Sequence, residues 1–189
     1  GVVEQELGQG KLWPEPLLQF NPAYQKFGSL EELTSQKILH PTIRDIFKGY
    51  SLYKHQVDAI KLGTAGKDFI VTSGTGSGKS LTYIGSIFHH LLSHPDEPGV
   101  TAVVVYPMNA LAEDQLGRLR GLLAGTGISF GMYVRKTPEK EAEVAGIRLP
   151  KGASRADYEA RLKAVRDEKR SDTVYPAEEV CSREAMRRP

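Results

Sequence analysis

The chain has 189 residues, of which 40% are hydrophobic and 25% are charged, the proportions of a folded globular domain. Its net charge of +2 is too small to indicate a nucleic-acid partner by itself, and the single cysteine, Cys181, excludes an internal disulfide. No apolar run reaches the ~18 residues of a membrane span, so we expect a cytoplasmic protein without a membrane partner.

Residues 1–50 are predicted to form an N-terminal leader, partly extended and partly helical, that packs on the rest of the chain. Pro14 favours an extended start because proline disfavours helix in the residue before it. Ser29, followed by acidic residues, predicts the N-cap of a short helix that ends near Leu39, and Pro41 can begin another.

The strongest functional signal is the stretch at residues 72–80, with the sequence TSGTGSGKS. An apolar run at residues 68–71 predicts a strand before it, and apolar spacing predicts a helix over residues 81–92 after it. A strand, a glycine-rich turn and a helix are the context of a phosphate-binding loop. Glycines allow the tight turn, and the helix N-terminus favours an anion. A flexible glycine-rich loop without a ligand is the alternative.

The residues of this loop have separate expected roles in binding ATP with Mg²⁺. Lys79 can reach the β- and γ-phosphate oxygens, and Ser80 can offer its hydroxyl to Mg²⁺, so these two are the candidate catalytic residues. Ser73 stands where the strict pattern G-x-x-x-x-G-K-[ST] has its first glycine. The candidate nucleotide-binding residues of the loop are Thr75, Gly76, Ser77, Gly78, Lys79 and Ser80.

A helix is predicted over residues 51–60, shortly before the loop, with His55 on its apolar face and Gln56 off that face. The amide of Gln56 carries a donor and an acceptor, the pair that matches the exocyclic amine and N7 of adenine. Gln56 is therefore a candidate adenine-binding residue, with an exposed helical glutamine as the alternative. Tyr53 or Lys54 could stack on the base.

Two further strands are predicted after the loop, with a helix between them. Residues 101–106 form a continuous apolar, β-branched run, typical of a strand buried on both faces, and residues 128–134 have the composition of a third strand. The alternation of strands and helices predicts an α/β fold with a parallel sheet. Pro107 and Asn109 follow the strand at its carboxyl end, where open α/β sheets bind ligands.

Residues 135–189 are rich in charged side chains and are predicted to form a charged helical insertion. Alanines at helical spacing favour a helix from about Ser154 to Arg170, and Pro176 is expected to begin a last helix. The charges could form a solvated face or contact nucleic acid, and the sequence leaves both open.

Gln56, the GSGKS loop and residues 106–115 together resemble the Q motif, motif I and motif Ia of superfamily 2 DEAD/DEAH-box helicases. The chain also resembles bacterial helicases related to the Lhr and RecQ-like groups, which often carry a cysteine-rich C-terminal domain. That group includes large helicases of DISARM and Druantia-type phage defence. The resemblance implies the parallel sheet of a RecA-like P-loop NTPase, flanked by helices. Its first ATP-binding subdomain would span residues 51–134, between the leader and the insertion.

The resemblance also assigns roles to individual residues. Lys79 and Ser80 match the residues that hold phosphate and Mg²⁺, and Gln56 matches the one that reads adenine. In that family, motif Ia contacts the nucleic-acid backbone, and the matching residues, expected to do the same, are Pro107, Asn109 and Ala110. The implied function is an ATP-dependent DNA helicase or translocase in phage defence or DNA repair. Its partners would be single-stranded DNA or a duplex junction, and further subunits of a defence complex.

Motif II, which supplies the acid that holds Mg²⁺, is not found after motif Ia in the 189 residues, and neither are motifs III to VI. We therefore expect an incomplete first motor domain, the N-terminal part of a larger enzyme, which alone should bind ATP weakly and hydrolyse it negligibly. A non-catalytic, nucleotide-gated DNA-binding subunit is the main alternative. A small-molecule kinase is a third, but it explains neither Gln56 nor the motif Ia stretch.

Overall fold

The computed structural model describes residues 24–74 and 76–187, which contain helices and short strands. The strands form three separate two-stranded sheets, one antiparallel and two parallel. In chain order, the elements are β1 (Lys26–Ser29), α1 (Leu30–Ser35), α2 (Ile43–Ile46), β2 (Ser51–Tyr53), α3 (Lys54–Thr64), α4 (Ser80–Ser93), α5 (Asn109–Leu123), β3 (Phe130–Gly131), a 3-10 turn (Glu141–Glu143), β4 (Ile147–Arg148), α6 (Arg155–Asp167), β5 (Val174–Tyr175), β6 (Glu179–Val180) and α7 (Arg183–Met186).

The leader contains the helix predicted to begin after Ser29, although it ends at Ser35 and not near Leu39. The Ser29 hydroxyl accepts from the Glu32 amide at 3.2 Å, and the Glu32 carboxylate accepts from the Ser29 amide at 3.4 Å. This reciprocal capping box satisfies two amides that the first turn of α1 would otherwise leave unpaired. Strand β1 just before it pairs antiparallel with β2. The extended start predicted at Pro14 lies in residues 1–23, outside the described part of the chain.

One hydrophobic core joins the leader to α3 and α4. Leu52 and Ile60 are fully buried in it, and the ring of Phe47 stacks on Phe88 with 5.8 Å between centroids. Burying one such side chain stabilises a fold by roughly 1.5–3 kcal/mol. The buried members are Leu30, Leu33, Leu39, Ile43, Ile46, Phe47, Leu52, Val57, Ile60, Leu81, Phe88, Leu123 and Ile128.

Helices α3 and α4 approach closely because glycines lie at their interface. A Cβ added to Gly63 would lie 2.3 Å from the Ser86 hydroxyl oxygen, and one added to Gly85 would lie 3.1 Å from side-chain carbons of Ile60. A side chain at Gly63 would force Ser86 or the helices to shift, and one at Gly85 would require Ile60 to give by a few tenths of an ångström. Because α4 begins at the glycine-rich loop, this packing fixes the loop against the first turn of α3.

The central sheet predicted from the sequence is formed only in part. Residues 68–71 and 101–106 are not strands, and of residues 128–134 only β3 is one, paired in parallel with β6. The predicted burial of residues 101–106 is wrong, since Val105 is 85% exposed. A strand buries its faces and pairs its backbone only against neighbouring strands, and within residues 24–74 and 76–187 none lies beside these segments.

A second, smaller core organises the charged segment after residue 135. It contains Tyr158 and Val165 of α6 together with Val174 and Ala124. The helix predicted from Ser154 is confirmed as α6, which is capped by the Ser154 hydroxyl. The boundaries at residues 50 and 134 remain predictions.

The last predicted helix is wrong at its start, because a turn and strand β6 follow Pro176, and the helix forms only as α7, from Arg183. The carboxylate of Glu179 in this strand accepts from the guanidinium of Arg120 on α5, at 2.6 and 2.8 Å. The two side chains are 3% and 18% exposed, respectively. Burial lowers the pKa of Arg120, but its hydrogen bonds and attraction to Glu179 outweigh that effect and leave the pKa above its ordinary value. This tertiary pairing overrides the local preference for helix.

Cys181 follows β6 and is expected to be chemically inert in the native protein. Burial, followed by the nearby charge of Glu179, raises the pKa of its thiol to about 11. Since the thiolate is the reactive form, alkylation at pH 8 should be roughly 100-fold slower than for an exposed cysteine. Iodoacetamide labelling, measured by mass spectrometry with and without denaturant, checks this. Equal rates in the two conditions would contradict it.

Candidate nucleotide-binding site

The first turn of α3 places Gln56 against the glycine-rich loop. Its side-chain oxygen accepts from the Tyr53 amide at 2.8 Å, and its side-chain nitrogen donates to the Gly78 carbonyl at 2.9 Å. Gln56 is only 4% exposed, so the alternative of an exposed helical glutamine is wrong. Its amide keeps one N–H and one lone pair beyond these two bonds. Its role in reading adenine stays a prediction.

His55 also contacts the loop, a role that sequence reasoning missed. Its Nε2 lies 3.0 Å from the Ser77 carbonyl oxygen. The rings of Tyr24 and Tyr53 flank the imidazole, with centroids 5.5 and 5.8 Å away. The available signal was its position directly before Gln56, since consecutive residues of one turn can reach consecutive parts of the loop.

The loop has the backbone geometry that its glycines predict. Gly76 and Gly78 have φ of 76° and 71°, in the left-handed region that glycine adopts without a steric penalty. Ser77 between them is 1% exposed, and its hydroxyl lies 2.5 Å from that of Ser73. The serine that departs from the strict motif therefore fastens one side of the loop to the other. Thr75 lies outside the described residues.

Lys79 directs its ammonium group into the loop. Nζ donates to the carbonyl oxygens of Ser73 at 2.8 Å and Gly74 at 2.6 Å, and it lies 3.4 Å from the Ser77 hydroxyl. The bonds from this ammonium to neutral carbonyls would be replaced by stronger ones with a phosphate oxygen, because the acceptor then also carries a charge. The arrangement is therefore suited to an anionic ligand at the loop.

Ser80 begins helix α4 directly after the lysine. The helix is 14 residues long, so its N-terminal amides and dipole favour an anion at this point. The Leu81 amide donates back to the Gly78 carbonyl at 3.2 Å, which closes the first turn. The loop and helix end therefore fit a polyphosphate. Ser80 would supply one oxygen to Mg²⁺. In the described ranges no carboxylate hydrogen-bonds to the loop.

Gly78 is the loop position at which a side chain should do most damage. A Cβ there would lie 2.6 Å from the Gln56 side-chain nitrogen and would push this residue off the Gly78 carbonyl. Gly78→Ala should therefore weaken ATP binding by about tenfold or more, from one lost hydrogen bond and a strained φ. Gly76→Ala shares the strained φ but meets no atom within 4 Å, so it separates strain from the clash. Nucleotide titration of both variants measures the difference, and equal losses would contradict this account.

The candidate nucleic-acid residues lie at the start of α5. Asn109 is its first residue, and Pro107, Asn109 and Ala110 are all exposed. The one described side-chain link from this segment to α4 joins the hydroxyls of Tyr106 and Tyr83 at 3.1 Å. Burial, then this hydrogen bond, raises the pKa of Tyr106 above its ordinary value. The exposed N-terminus of α5 can receive a phosphate of the backbone.

A separate group of potential metal ligands lies near the other end of α4. His90, His94 and Glu97 are exposed, and their ligand atoms lie within 4.8 Å of one another. His90 Nε2 is 3.0 Å from the Glu97 carboxylate. At about 1.5 Å per helical residue, His90 lies roughly 15 Å along the axis from Ser80. We therefore assign this group no part in nucleotide binding.

Helices long and apolar enough to cross a membrane are not found in the described part of the chain.

Comparison with known proteins identifies the family. The model of the DEAD/DEAH box helicases matches residues 53–153, which include Gln56, the glycine-rich loop and the start of α5. No solved structure matches.

Three curated relatives match this chain, and two of them are named as helicases. The Druantia protein DruE of Escherichia coli (strain UMEA 4076-1) is 30% identical over 149 residues, 65% of this chain and 8% of that protein. The ATP-dependent helicase hrq1 of Schizosaccharomyces pombe is 35% identical over 125 residues, which cover 65% of this chain and 11% of the length of that protein. The ATP-dependent RNA helicase RhlB of Shigella boydii serotype 18 is 28% identical over 144 residues, which cover 72% of this chain and 31% of the length of that protein. The chain thus spans less than a third of each relative.

The resemblance drawn from the three motifs is confirmed by these matches. They also confirm the fold class, since the parallel strand pairs and packed helices are those of a partial RecA-like α/β fold. The family model covers more than half of the chain, and it includes every described residue that forms the loop and its contacts to α3. The chain belongs to the DEAD/DEAH box helicase family.

Proposed function

We propose that this chain is the nucleotide-binding part of the motor of an ATP-dependent DNA helicase or translocase. The observation that carries the proposal is the direction of the Lys79 ammonium, which enters a glycine-shaped loop at the N-terminus of α4. Family membership supplies the reaction class. We expect a cytoplasmic protein on the basis of its single cysteine.

In this proposal, ATP with Mg²⁺ supplies the phosphoanhydride bond whose hydrolysis drives movement along the strand. Lys79 exchanges its carbonyl partners for β- and γ-phosphate oxygens and stabilises their charge. Ser80 would hold Mg²⁺ through its hydroxyl oxygen, and the amides of the loop would bind the phosphates. Gln56 uses its remaining donor and acceptor on adenine. The acid that orients the water and the arginine finger would come from other parts of the motor.

Nucleic acid would be held through its backbone at the start of α5. Pro107, Asn109 and Ala110 are exposed there, next to amides that can bind a phosphate. Contacts to phosphates carry no sequence information, as a motor that moves along any sequence requires. DNA as the substrate, further subunits and a role in phage defence or DNA repair are proposed from the resemblance to the defence-type helicases.

The test is an ATPase assay of the full-length protein with single-stranded DNA, a duplex with a single-stranded overhang, or RNA, across a salt series. DNA should stimulate turnover, and the stimulation should fall as salt rises because phosphate contacts release counterions. Stimulation by RNA alone would overturn DNA as the substrate. ATP binding without turnover would identify the non-catalytic, nucleotide-gated subunit instead, and no ATP binding would overturn the whole proposal.

A further inference from the structure

We propose that His55 is a positioning residue of the glycine-rich loop, which aims the Gly78 amide at a bound phosphate by holding the Ser77 carbonyl. The inference rests on the proposed function, because it supposes that the loop binds the phosphates of ATP. In this inference His55 orients only the loop, whereas Gln56 both orients the loop and binds the base.

The argument starts from the planarity of the peptide bond. In a trans peptide the C=O of one residue and the N–H of the next point in opposite directions. The Ser77 carbonyl points at His55 Nε2, 3.0 Å away. The Gly78 amide of the same peptide unit therefore points away from α3.

Gln56 does the same to the next peptide unit. Its side-chain nitrogen holds the Gly78 carbonyl at 2.9 Å, so the amide of Lys79 also points away from α3. Two consecutive residues of one helical turn thus orient two consecutive amides of the loop. Adjacent amides that point to one side form the concave nest that binds phosphate.

The glycines make this restraint necessary. Gly76 and Gly78 flank Ser77, and glycine populates positive and negative φ about equally, so the peptide units around Ser77 could otherwise flip. A flipped unit would direct a carbonyl oxygen, instead of an amide, at the anion. His55 and Gln56 hold the loop in the orientation that binds, which lowers the conformational cost of binding.

The imidazole is itself oriented by its surroundings. A carbonyl oxygen can only accept, so Nε2 of His55 must carry a proton. The Tyr53 ring lies nearly parallel to the imidazole, at 14°, and Tyr24 packs at 58°. These rings limit rotation of the imidazole, and this keeps Nε2 directed at the loop.

The test uses fluorescent-nucleotide titration and steady-state ATPase assays of the full-length protein. His55→Ala should weaken binding of ATP and GTP by the same factor, about tenfold, because the loop amides contact phosphates and not the base. The ATP-over-GTP preference should stay unchanged, whereas Gln56→Ala should reduce it. His55→Gln, whose side-chain N–H can replace Nε2, should restore most of the affinity. His94→Ala removes an exposed histidine and serves as the matched control.

The outcomes separate this inference from the proposed function. A wild-type protein that binds no ATP defeats the proposed function, and this inference with it. Wild-type binding that His55→Ala leaves unchanged overturns only the role of His55. A changed base preference in His55→Ala would place the residue at the base and would also overturn it. If His55→Ala lowers the melting temperature, its loss of affinity could come from unfolding, and the folded His55→Gln variant then tests the role of His55. Failure of His55→Gln to restore affinity would contradict a donor role.

Discussion

Replacing Lys79 with alanine should abolish the nucleic-acid-stimulated ATPase activity of the full-length protein. The ammonium is the one cation that donates into the loop within the described residues, through bonds to the Ser73 and Gly74 carbonyls. Removing one group that stabilises transition-state charge costs about 100- to 1000-fold in kcat. We therefore expect a loss of at least about 100-fold, measured by phosphate release at saturating ATP and DNA.

An exposed lysine gives the matched control for this experiment. Lys67 lies in the connection before the loop, and Lys67→Ala should retain full turnover. Lys79→Arg should not rescue, because a broad planar guanidinium replaces the compact point charge that the loop surrounds. Retained turnover in Lys79→Ala would contradict the assignment of this loop as the ATP site.

The second large effect is expected at the buried ion pair between α5 and β6. Arg120→Ala would leave the Glu179 carboxylate, 3% exposed, without its two charge-assisted hydrogen bonds. Removing one partner of a buried pair costs about 3–5 kcal/mol, since the remaining charge is buried unpaired. Urea denaturation followed by circular dichroism should therefore show a free energy of unfolding lower by about 3 kcal/mol.

Arg118 on the same helix provides an internal control. It pairs with Asp114 at 3.2 Å, but the two side chains are 66% and 56% exposed. Arg118→Ala should change the free energy of unfolding by less than about 0.5 kcal/mol. The double variant Arg120→Met, Glu179→Leu should recover most of the loss, because no charge is left buried. Equal small losses for Arg118→Ala and Arg120→Ala would contradict the prediction, since the buried pair Arg120–Glu179 would then stabilise the fold no more than the exposed pair.

Local signals in the sequence predicted the helices better than the strands. The Ser29 capping box and the Ser154 cap each depend on residues within one turn, so their spacing alone identifies the helix start. Strands depend on partners far along the chain. Strand β3 exists because β6 pairs with it, some 49 residues later. The composition of residues 101–106 carries no information about whether such a partner is beside it.

The candidate site was predictable where chemistry needs a particular side chain. Lys79, Ser80 and Gln56 were identified from their types and order, and the structure brings Lys79 and Gln56 to one loop. His55 was not identified, because its partner is a main-chain carbonyl, and a main-chain group leaves no trace in the sequence. Ser73 was seen as a departure from the motif, whereas its hydroxyl pairs with that of Ser77.

The exposed valines before α5 have a practical consequence for handling the protein. Val103 is 75% exposed and Val105 85% exposed, in an apolar run that has no strand beside it among the described residues. Such a run is a template for pairing with the same run of another molecule, the route by which edge strands aggregate. Preparations limited to these 189 residues should therefore precipitate as concentration rises. A lysine in place of Val105 should improve solubility without touching the nucleotide loop.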